Sequence, residues 1–205
     1  MKSRSLGLIM CGLSLLLVGL IIGAPFASAE LTPLESRLAE IAKQQKAPAI
    51  ALLEQVVNIN SGTMNHAGVK QVADVFDQEL KALGFETRWH DLSAVDRAGH
   101  LFADNGGPGV CQLLIGHLDT VFEASSPFQN FQRQGDTATG PGVSDMKGGD
   151  VVILFALKAL KAAGVLDEGR YLVALIGDEE KSGSPKSISR KHLIDAAKSC
   201  DVGLG

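Results

Sequence analysis

Two apolar runs in this chain end in side chains that can bind a metal ion or transfer a proton. The run at residues 110–116 is followed by His117 and Asp119, and the run at residues 171–176 is followed by Gly-Asp-Glu-Glu. Because side chains i and i+2 of a strand point to the same face, His117 and Asp119 should lie side by side. Imidazole and carboxylate groups without a thiolate are typical ligands of a catalytic zinc ion.

A third stretch, "GPGVSDMKGG" at residues 140–149, supplies Asp145 shortly before a predicted helix that begins near Gly149. Its glycines permit tight turns and a close approach of the backbone. Asp119 can accept the second ring N–H of His117 and thereby fix the tautomer of that imidazole, which is a common arrangement behind a metal ligand.

Glu179 and Glu180, which follow the second apolar run, are adjacent, so their side chains diverge. One of them can bind a metal ion while the other accepts a proton from metal-bound water. Taken singly, the three features have ordinary explanations: His117 as a core histidine, Asp145 as a helix cap and the two glutamates as a solvated pair. All three fall at the same end of one predicted sheet, so we interpret them together as a metal site.

Alternating helices and strands must position these groups. Thr32, Pro33 and Glu35 form a helix start, as the N-cap, the first helical residue and the capping-box glutamate. Helical spacing recurs after Pro48 and at residues 69–83, 151–163 and 184–197, and strands are predicted at residues 85–90, 100–103, 110–116, 171–176 and 202–204. Residues 123–142 show no clear period. The pattern predicts an α/β three-layer sandwich with a largely parallel central sheet, in which ligands bind beyond the carboxyl ends of the strands.

Residues 1–29 have the pattern of a secretory signal peptide. Lys2 and Arg4 form a short basic region, residues 6–22 are apolar, and Ala27-Ser28-Ala29 is an A-x-A cleavage site. The alternative is an uncleaved membrane anchor, because the apolar run is close to the shortest membrane span of roughly 17 residues. The small residues before Glu30 favour cleavage. We therefore expect a secreted or periplasmic protein without stable membrane association after cleavage.

The composition of the predicted mature chain excludes some partners. Loss of two basic residues with the leader moves the formal charge from −4 to −6. An acidic chain without a basic cluster gives no indication of nucleic-acid binding. Cleavage also leaves Cys111 and Cys200. An oxidising compartment would permit a bridge between them, but two widely separated cysteines are not a disulfide framework, so two buried thiols are the favoured interpretation.

The motifs "GHLDTVF", "GPGVSDMKGG" and "GDEE" followed by "GSP" resemble the three blocks of the zinc aminoacylase, desuccinylase and glutamate carboxypeptidase superfamily, nearest to its exported carboxypeptidase G-like branch. The resemblance implies a di-zinc exopeptidase-like catalytic domain that holds two Zn(2+) ions bridged by Asp145. It further implies that His117 binds one ion and Glu180 the other, while Asp119 orients His117 and Glu179 acts as the general base. In this family the peptide bond after the bridging aspartate is often cis.

The same resemblance implies that residues 30–205 are the N-terminal part of the catalytic domain and that the domain is incomplete at the C-terminus. A further carboxylate ligand, a second histidine ligand and a lid or dimerisation domain would then lie beyond Gly205, and the complete enzyme would be a possible homodimer. Asp201 is not expected to replace the absent ligand because it precedes the last predicted strand. The other histidines, which no motif surrounds, are expected at the surface: His66, His90, His100 and His192.

The activity that the resemblance implies is hydrolysis of an amide bond next to a free carboxylate, by a glutamate carboxypeptidase-like exopeptidase. Its substrate would be a small peptide or an N-acyl or pteroyl amino acid. Two alternatives stay open. One is an N-acyl-amino-acid deacylase of the same superfamily, and the other is a truncated, catalytically inactive remnant.

Overall fold

The computed structural model describes residues 30–205, and the predicted leader at residues 1–29 lies outside them. The first described helix has the predicted capping box. The Thr32 hydroxyl accepts the N–H of Glu35 at 3.2 Å, and the Glu35 carboxylate accepts the N–H of Thr32 at 2.7 Å.

The helices and strands follow the predicted order. The helices are α1 (Pro33–Gln44), α2 (Lys46–Val57), α3 (His66–Ala82), α4 (Lys147–Ala163), α5 (Lys186–Ser189) and α6 (Lys191–Ser199). The strands are β1 (Glu86–Leu92), β2 (Arg97–Asp104), β3 (Cys111–His117), β4 (Gln132–Gln134), β5 (Thr137–Thr139), β6 (Arg170–Ile176) and β7 (Val202–Leu204). Among residues 30–205, none of these helices has the length and apolar character needed to span a bilayer.

Five strands form the central sheet in the order β1-β2-β6-β3-β7. Strand β3 is parallel to both β6 and β7, whereas β2 is antiparallel to both β1 and β6. The sheet is therefore mixed: the strands that end in the predicted metal ligands are parallel, and the antiparallel pairs lie toward the β1 edge.

Side chains of the sheet alternate between two cores. Leu101 and Leu175 point into a core shared with α2, α3 and α4, while Phe102 and Ile176 point into a smaller core shared with α6. Helices thus cover both faces, and the predicted α/β three-layer sandwich is confirmed. Because the side chains on both faces of β6 are covered by helices, residues 171–176 of this strand form a continuous apolar run.

Three parts of the chain differ most clearly from the sequence prediction. The segment at residues 123–142 contains a two-stranded hairpin of β4 and β5, which is too short for a periodic pattern to emerge. Helix α4 begins at Lys147, and in its first turn the Asp150 N–H donates to the Met146 carbonyl at 2.9 Å. The helix predicted at residues 184–197 is divided into α5 and α6 at Arg190.

The expectation of two buried thiols is wrong, because Cys111 and Cys200 form a disulfide with a Cα–Cα distance of 4.6 Å. Cys111 begins β3, and Cys200 immediately precedes the turn into β7, the neighbouring strand. Asp201 closes the same junction: its carboxylate accepts the Cys111 N–H at 2.8 Å. Pairing of β3 with β7, which the cysteine spacing does not reveal, brings the two sulfurs together.

The expectation that the four remaining histidines lie at the surface is wrong for His100, which is fully buried in β2. Its Nδ1 accepts the N–H of Gly177 at 3.0 Å, so its Nε2 carries the proton and donates to the Ser189 carbonyl at 2.8 Å. Both ring nitrogens therefore have partners inside the protein, which permits burial of an imidazole. The other three histidines are partly exposed: His66, His90 and His192.

Candidate metal centre

The parallel register of β3 and β6 brings the predicted site residues to one end of the sheet. His117, the last residue of β3, pairs with Ile176, the last residue of β6. The segments that continue from both strands therefore leave the sheet side by side, and they carry Asp119, Glu179 and Glu180.

Four side chains converge there. One ligand atom each from His117, Glu179 and Glu180 lies within 4.8 Å of the other two. Asp145, which precedes α4, places its Oδ1 2.9 Å from Nε2 of His117. The four groups therefore surround one small space, and the 2.9 Å contact between Asp145 and His117 is a hydrogen bond that a cation bound between them would replace. One imidazole and three carboxylates without a thiolate fit a divalent cation.

Asp119 joins the two strand ends behind this cluster. Its fully buried carboxylate accepts the main-chain N–H of Glu179 at 3.0 Å and that of Glu180 at 3.1 Å. Nδ1 of His117 lies 3.0 Å from the Asp119 carbonyl oxygen and 3.6 Å from its carboxylate. The ring is thus oriented by Asp119, with the main-chain carbonyl as the nearer acceptor, and the carboxylate holds the glutamate segment.

Thr63 is a supporting residue that the sequence reasoning missed. Its buried hydroxyl donates to the Asp119 carboxylate at 2.7 Å, and its N–H donates to the Thr120 carbonyl at 3.2 Å. The loop before α3 thereby attaches to the segment after β3. The sequence Asn-Ser-Gly-Thr at residues 60–63 predicts only a loop between two helices, so no local pattern indicates this contact.

Electrostatics at the site favour a cation. Burial opposes protonation of His117, but hydrogen bonds and charge from Asp119 and Asp145 outweigh it and raise the pKa of His117 to about 9. Burial, followed by the nearby negative charge of Asp145, raises the pKa of Glu180 above its ordinary value. Both shifts have the sign that an excess of negative charge produces, and a bound divalent ion would neutralise that excess.

Two buried charged residues at the start of α4 were also missed. Lys147 donates from Nζ to the carbonyls of Val56 at 2.8 Å and Ile59 at 2.9 Å, and burial lowers its pKa to about 8. These two bonds join the residues that follow Asp145 to the C-terminal end of α2. The signal in the sequence is the lysine of "SDMKGG" at the start of an otherwise apolar helix.

Asp150, one turn further along α4, lies against β3. It is buried, and neither of its carboxylate oxygens has a hydrogen-bond partner among the described residues. A Cβ at position 116 would lie 2.0 Å from its Oδ1, so the residue before His117 has to be glycine. Burial raises the pKa of Asp150 well above its ordinary value.

Comparison with known proteins places this geometry in a family. The sequence model of the peptidase family M20/M25/M40 matches residues 113–204, which include every predicted site residue. Carboxypeptidase G2 of Pseudomonas sp. (strain RS-16) is 38% identical over 177 residues, which cover 82% of this chain and 40% of that protein. The chain belongs to the M20 peptidase family. A probable succinyl-diaminopimelate desuccinylase of Staphylococcus aureus (strain MRSA252) is 27% identical over 154 residues, covering 71% of this chain and 36% of that protein.

Solved structures agree with the M20 fold. Human carnosine dipeptidase 1 superposes with a TM-score of 0.66 at 15% identity, over 82% of this chain and 40% of that chain. The M20 family metallo-carboxypeptidase Sso-CP2 from Sulfolobus solfataricus gives a TM-score of 0.60 at 18% identity, over 76% of this chain and 36% of that chain. The predicted exopeptidase-like catalytic fold is therefore confirmed. The chain spans about 40% of the length of carboxypeptidase G2.

Proposed function

We propose that the protein carrying this M20 chain is an exported, zinc-dependent hydrolase that cleaves an amide bond next to a free carboxylate. Convergence of His117, Asp145, Glu179 and Glu180 at the carboxyl ends of parallel strands carries the proposal. The 38% identity to carboxypeptidase G2 favours a glutamate carboxypeptidase-like exopeptidase acting on a small peptide or a pteroyl amino acid. The signal-peptide pattern of residues 1–29 supports export to the periplasm or the medium.

Each site residue has a role in this proposal. His117 and Asp145 would hold one zinc ion, and Glu180 and Asp145 would hold the second. Bound zinc would polarise the scissile carbonyl and lower the pKa of a water molecule. Glu179 accepts the proton of the attacking water and returns it to the departing amine nitrogen, which requires one carboxylate to serve as base and then as acid.

The two glutamates provide the test, because the proposal gives adjacent carboxylates different roles. We expect Glu179→Ala to reduce kcat by about 10²–10⁴-fold, the usual contribution of a general base, while zinc content stays nearly unchanged. Glu180→Ala should lose zinc. Glu168→Ala, which changes an exposed glutamate outside the site, serves as the control and should alter neither quantity.

Zinc per chain, measured by elemental analysis after dialysis, separates the two roles from each other. Loss of about one zinc ion in Glu179→Ala would mean that the base and the ligand are exchanged. Retention of both zinc ions and of activity in both variants would contradict the proposed site.

A deacylase of the same family is the second candidate, and the similarity to the desuccinylase favours it. Both activities hydrolyse the amide that joins an acyl group to the nitrogen of an amino acid. They differ in the acyl group, which is a peptide or pteroyl group for the carboxypeptidase and a small group such as succinyl for the deacylase. Product analysis on a pteroyl-glutamate and on an N-succinyl amino acid separates them. Release of free glutamate from the first compound alone would support the exopeptidase.

Metal analysis of the 205-residue polypeptide tests the assignment of ligands. Among residues 30–205, the proposal assigns two protein ligands to each ion, whereas catalytic zinc commonly has three. We expect the isolated polypeptide to retain fewer than two zinc ions after dialysis and to release no glutamate. Two retained ions with measurable turnover would contradict this assignment of ligands.

A further inference from the structure

The segment that carries Glu179 and Glu180, residues 177–183, has no regular secondary structure, yet other elements hold it at several points. Asp119 binds the N–H groups of both glutamates, as described above. On the opposite side, the Asp178 side chain points inward and is fully buried. Its carboxylate forms an ion pair with the guanidinium of Arg190 and accepts the N–H of Gly183 at 2.8 Å.

Arg190 binds this segment at three places. In addition to the Asp178 carboxylate, its Nη2 donates to the Asp178 carbonyl at 3.1 Å and to the Ser182 hydroxyl at 2.6 Å. A guanidinium presents several donors in one rigid plane, so a single side chain fixes residues on both sides of the glutamate pair. Arg190 is the single residue between α5 and α6.

Residues of β2 complete the network. His100 accepts the N–H of Gly177 and donates to the Ser189 carbonyl, and the Ser189 hydroxyl donates to the Gly183 carbonyl at 3.0 Å. Arg97 donates to the Lys181 carbonyl at 2.5 Å. The glutamate segment is thus bound to β2, to the residues after β3 and to the α5–α6 break.

We propose that Arg190, through its ion pair with Asp178, is a positioning residue that sets the orientation of Glu179 and Glu180 at the metal centre. Asp178 immediately precedes Glu179, and its side chain is held inward by Arg190 while the following two N–H groups are held by Asp119. The peptide units on both sides of Glu179 are therefore fixed, and with them the direction of its side chain. The roles of the two glutamates rest on the function proposed above.

The variants must separate positioning from folding. Arg190→Met alone leaves the Asp178 carboxylate buried without its partner, which destabilises a protein strongly. The double variant D178N/R190Q removes both charges together and leaves no buried charge without its partner, so its melting temperature should fall much less than that of Arg190→Met. Arg190→Lys keeps the charge but loses the planar fork. Lys191→Met, which removes the neighbouring cation of an exposed ion pair with Asp195, is the matched control.

Three measurements follow on the complete protein. In D178N/R190Q we expect kcat to fall by about 10²-fold with a much smaller change in KM, since displacement of a reacting group by about 1 Å has that effect. Amide hydrogen exchange at Glu179 and Glu180 should rise at least about tenfold, because the segment opens more readily. Zinc affinity should weaken. Arg190→Lys should change kcat, the exchange rates and the zinc affinity less than D178N/R190Q does. Lys191→Met should match the parent protein in all three.

Parent-like kcat and exchange in folded D178N/R190Q would overturn the proposal, as would a loss of activity that follows only the fraction of unfolded protein. A parent protein that hydrolyses none of the substrates would refute the proposed function instead. In that case the exchange rates at residues 177–183 and the zinc affinity still decide whether Arg190 positions the segment.

Discussion

Replacement of Lys147 by methionine tests whether a buried ammonium stabilises the join between α2 and the Asp145 segment. Lys147 is fully buried, and its Nζ donates to the carbonyls of Val56 and Ile59 at 2.8 and 2.9 Å. Val56 lies in the last turn of α2, where carbonyl groups lack the partners found inside the helix and where a positive charge is favourable. Methionine keeps most of the apolar stem but removes both hydrogen bonds.

Two opposing free-energy contributions determine the size of the effect. Hydrogen bonds from a charged donor contribute about 1.5–3 kcal/mol each, so two of them amount to about 3–6 kcal/mol. Burial of the ammonium opposes this: a pKa lowered from 10.5 to about 8 corresponds to a cost of about 3 kcal/mol for the charged form. Methionine does not incur that cost. The difference is about 0–3 kcal/mol, and we expect Lys147→Met to lower the free energy of unfolding by about 1–2 kcal/mol.

Urea unfolding near neutral pH measures this quantity, and Lys161→Met is the control. Lys161 lies on the same helix and pairs at the surface with Asp167 at 3.2 Å. Its replacement should change the free energy of unfolding by less than about 0.5 kcal/mol. If Lys147→Met costs no more than this control, the two hydrogen bonds do not stabilise the α2 junction and the reasoning is refuted.

A pH series adds an independent check on Lys147. Its folded pKa lies below the unfolded value, so between about pH 8 and pH 10.5 the unfolded chain binds more protons than the folded one. The stability of the parent should therefore rise across this window relative to that of Lys147→Met. A difference between the two proteins that does not change with pH would contradict the buried-ammonium interpretation.

Three further outcomes are expected. Burial and the stacked His192, 3.8 Å away, lower the pKa of His90 to about 4, so the protein should lose stability as pH falls from about 6.5 toward 4. Because the ring is partly exposed, the loss should be about 1 kcal/mol or less in urea unfolding, and His90→Gln should not show it. Cys111 and Cys200 should resist thiol alkylation until a reductant is added, whereas immediate labelling would contradict the disulfide. Expression with the leader should yield a protein that begins at Glu30, as intact-mass measurement will show; a retained leader in the membrane fraction would instead support the anchor.

Periodicity and strand ends carried most of the information that could be predicted. The apolar runs identified β3 and β6, and the rule that ligands bind beyond the carboxyl ends of parallel strands grouped His117 with Glu179 and Glu180. The register of β3 against β6 confirms the premise of that grouping. The roles of these residues in catalysis and metal binding stay predictions, as does the leader.

Contacts that join distant parts of the chain could not be predicted from local patterns. The Asp119 carboxylate accepts N–H groups that lie about 60 residues away along the chain, and His100 is buried because Gly177 and Ser189 satisfy its ring nitrogens. From sequence alone a polar side chain is predicted to be exposed unless its hydrogen-bond partners are known. Partners so far apart in the chain can be identified only when the order of the strands is known. The same applies to the disulfide, which depends on β7 lying beside β3.

The distribution of buried cations explains why the end of the sheet keeps its negative charge. Arg190 forms an ion pair with the Asp178 carboxylate, and Lys147 donates hydrogen bonds to main-chain carbonyls. Within residues 30–205, no lysine or arginine forms an ion pair with Asp145, Glu179 or Glu180. Arg190 and Lys147 instead hold the segments that carry these carboxylates. The basic side chain beside the carboxylates is that of His117. A fold that brings three carboxylates together and directs its own lysine and arginine side chains elsewhere leaves the mutual repulsion of the carboxylates uncompensated by those side chains, and a bound divalent metal ion would supply the missing positive charge.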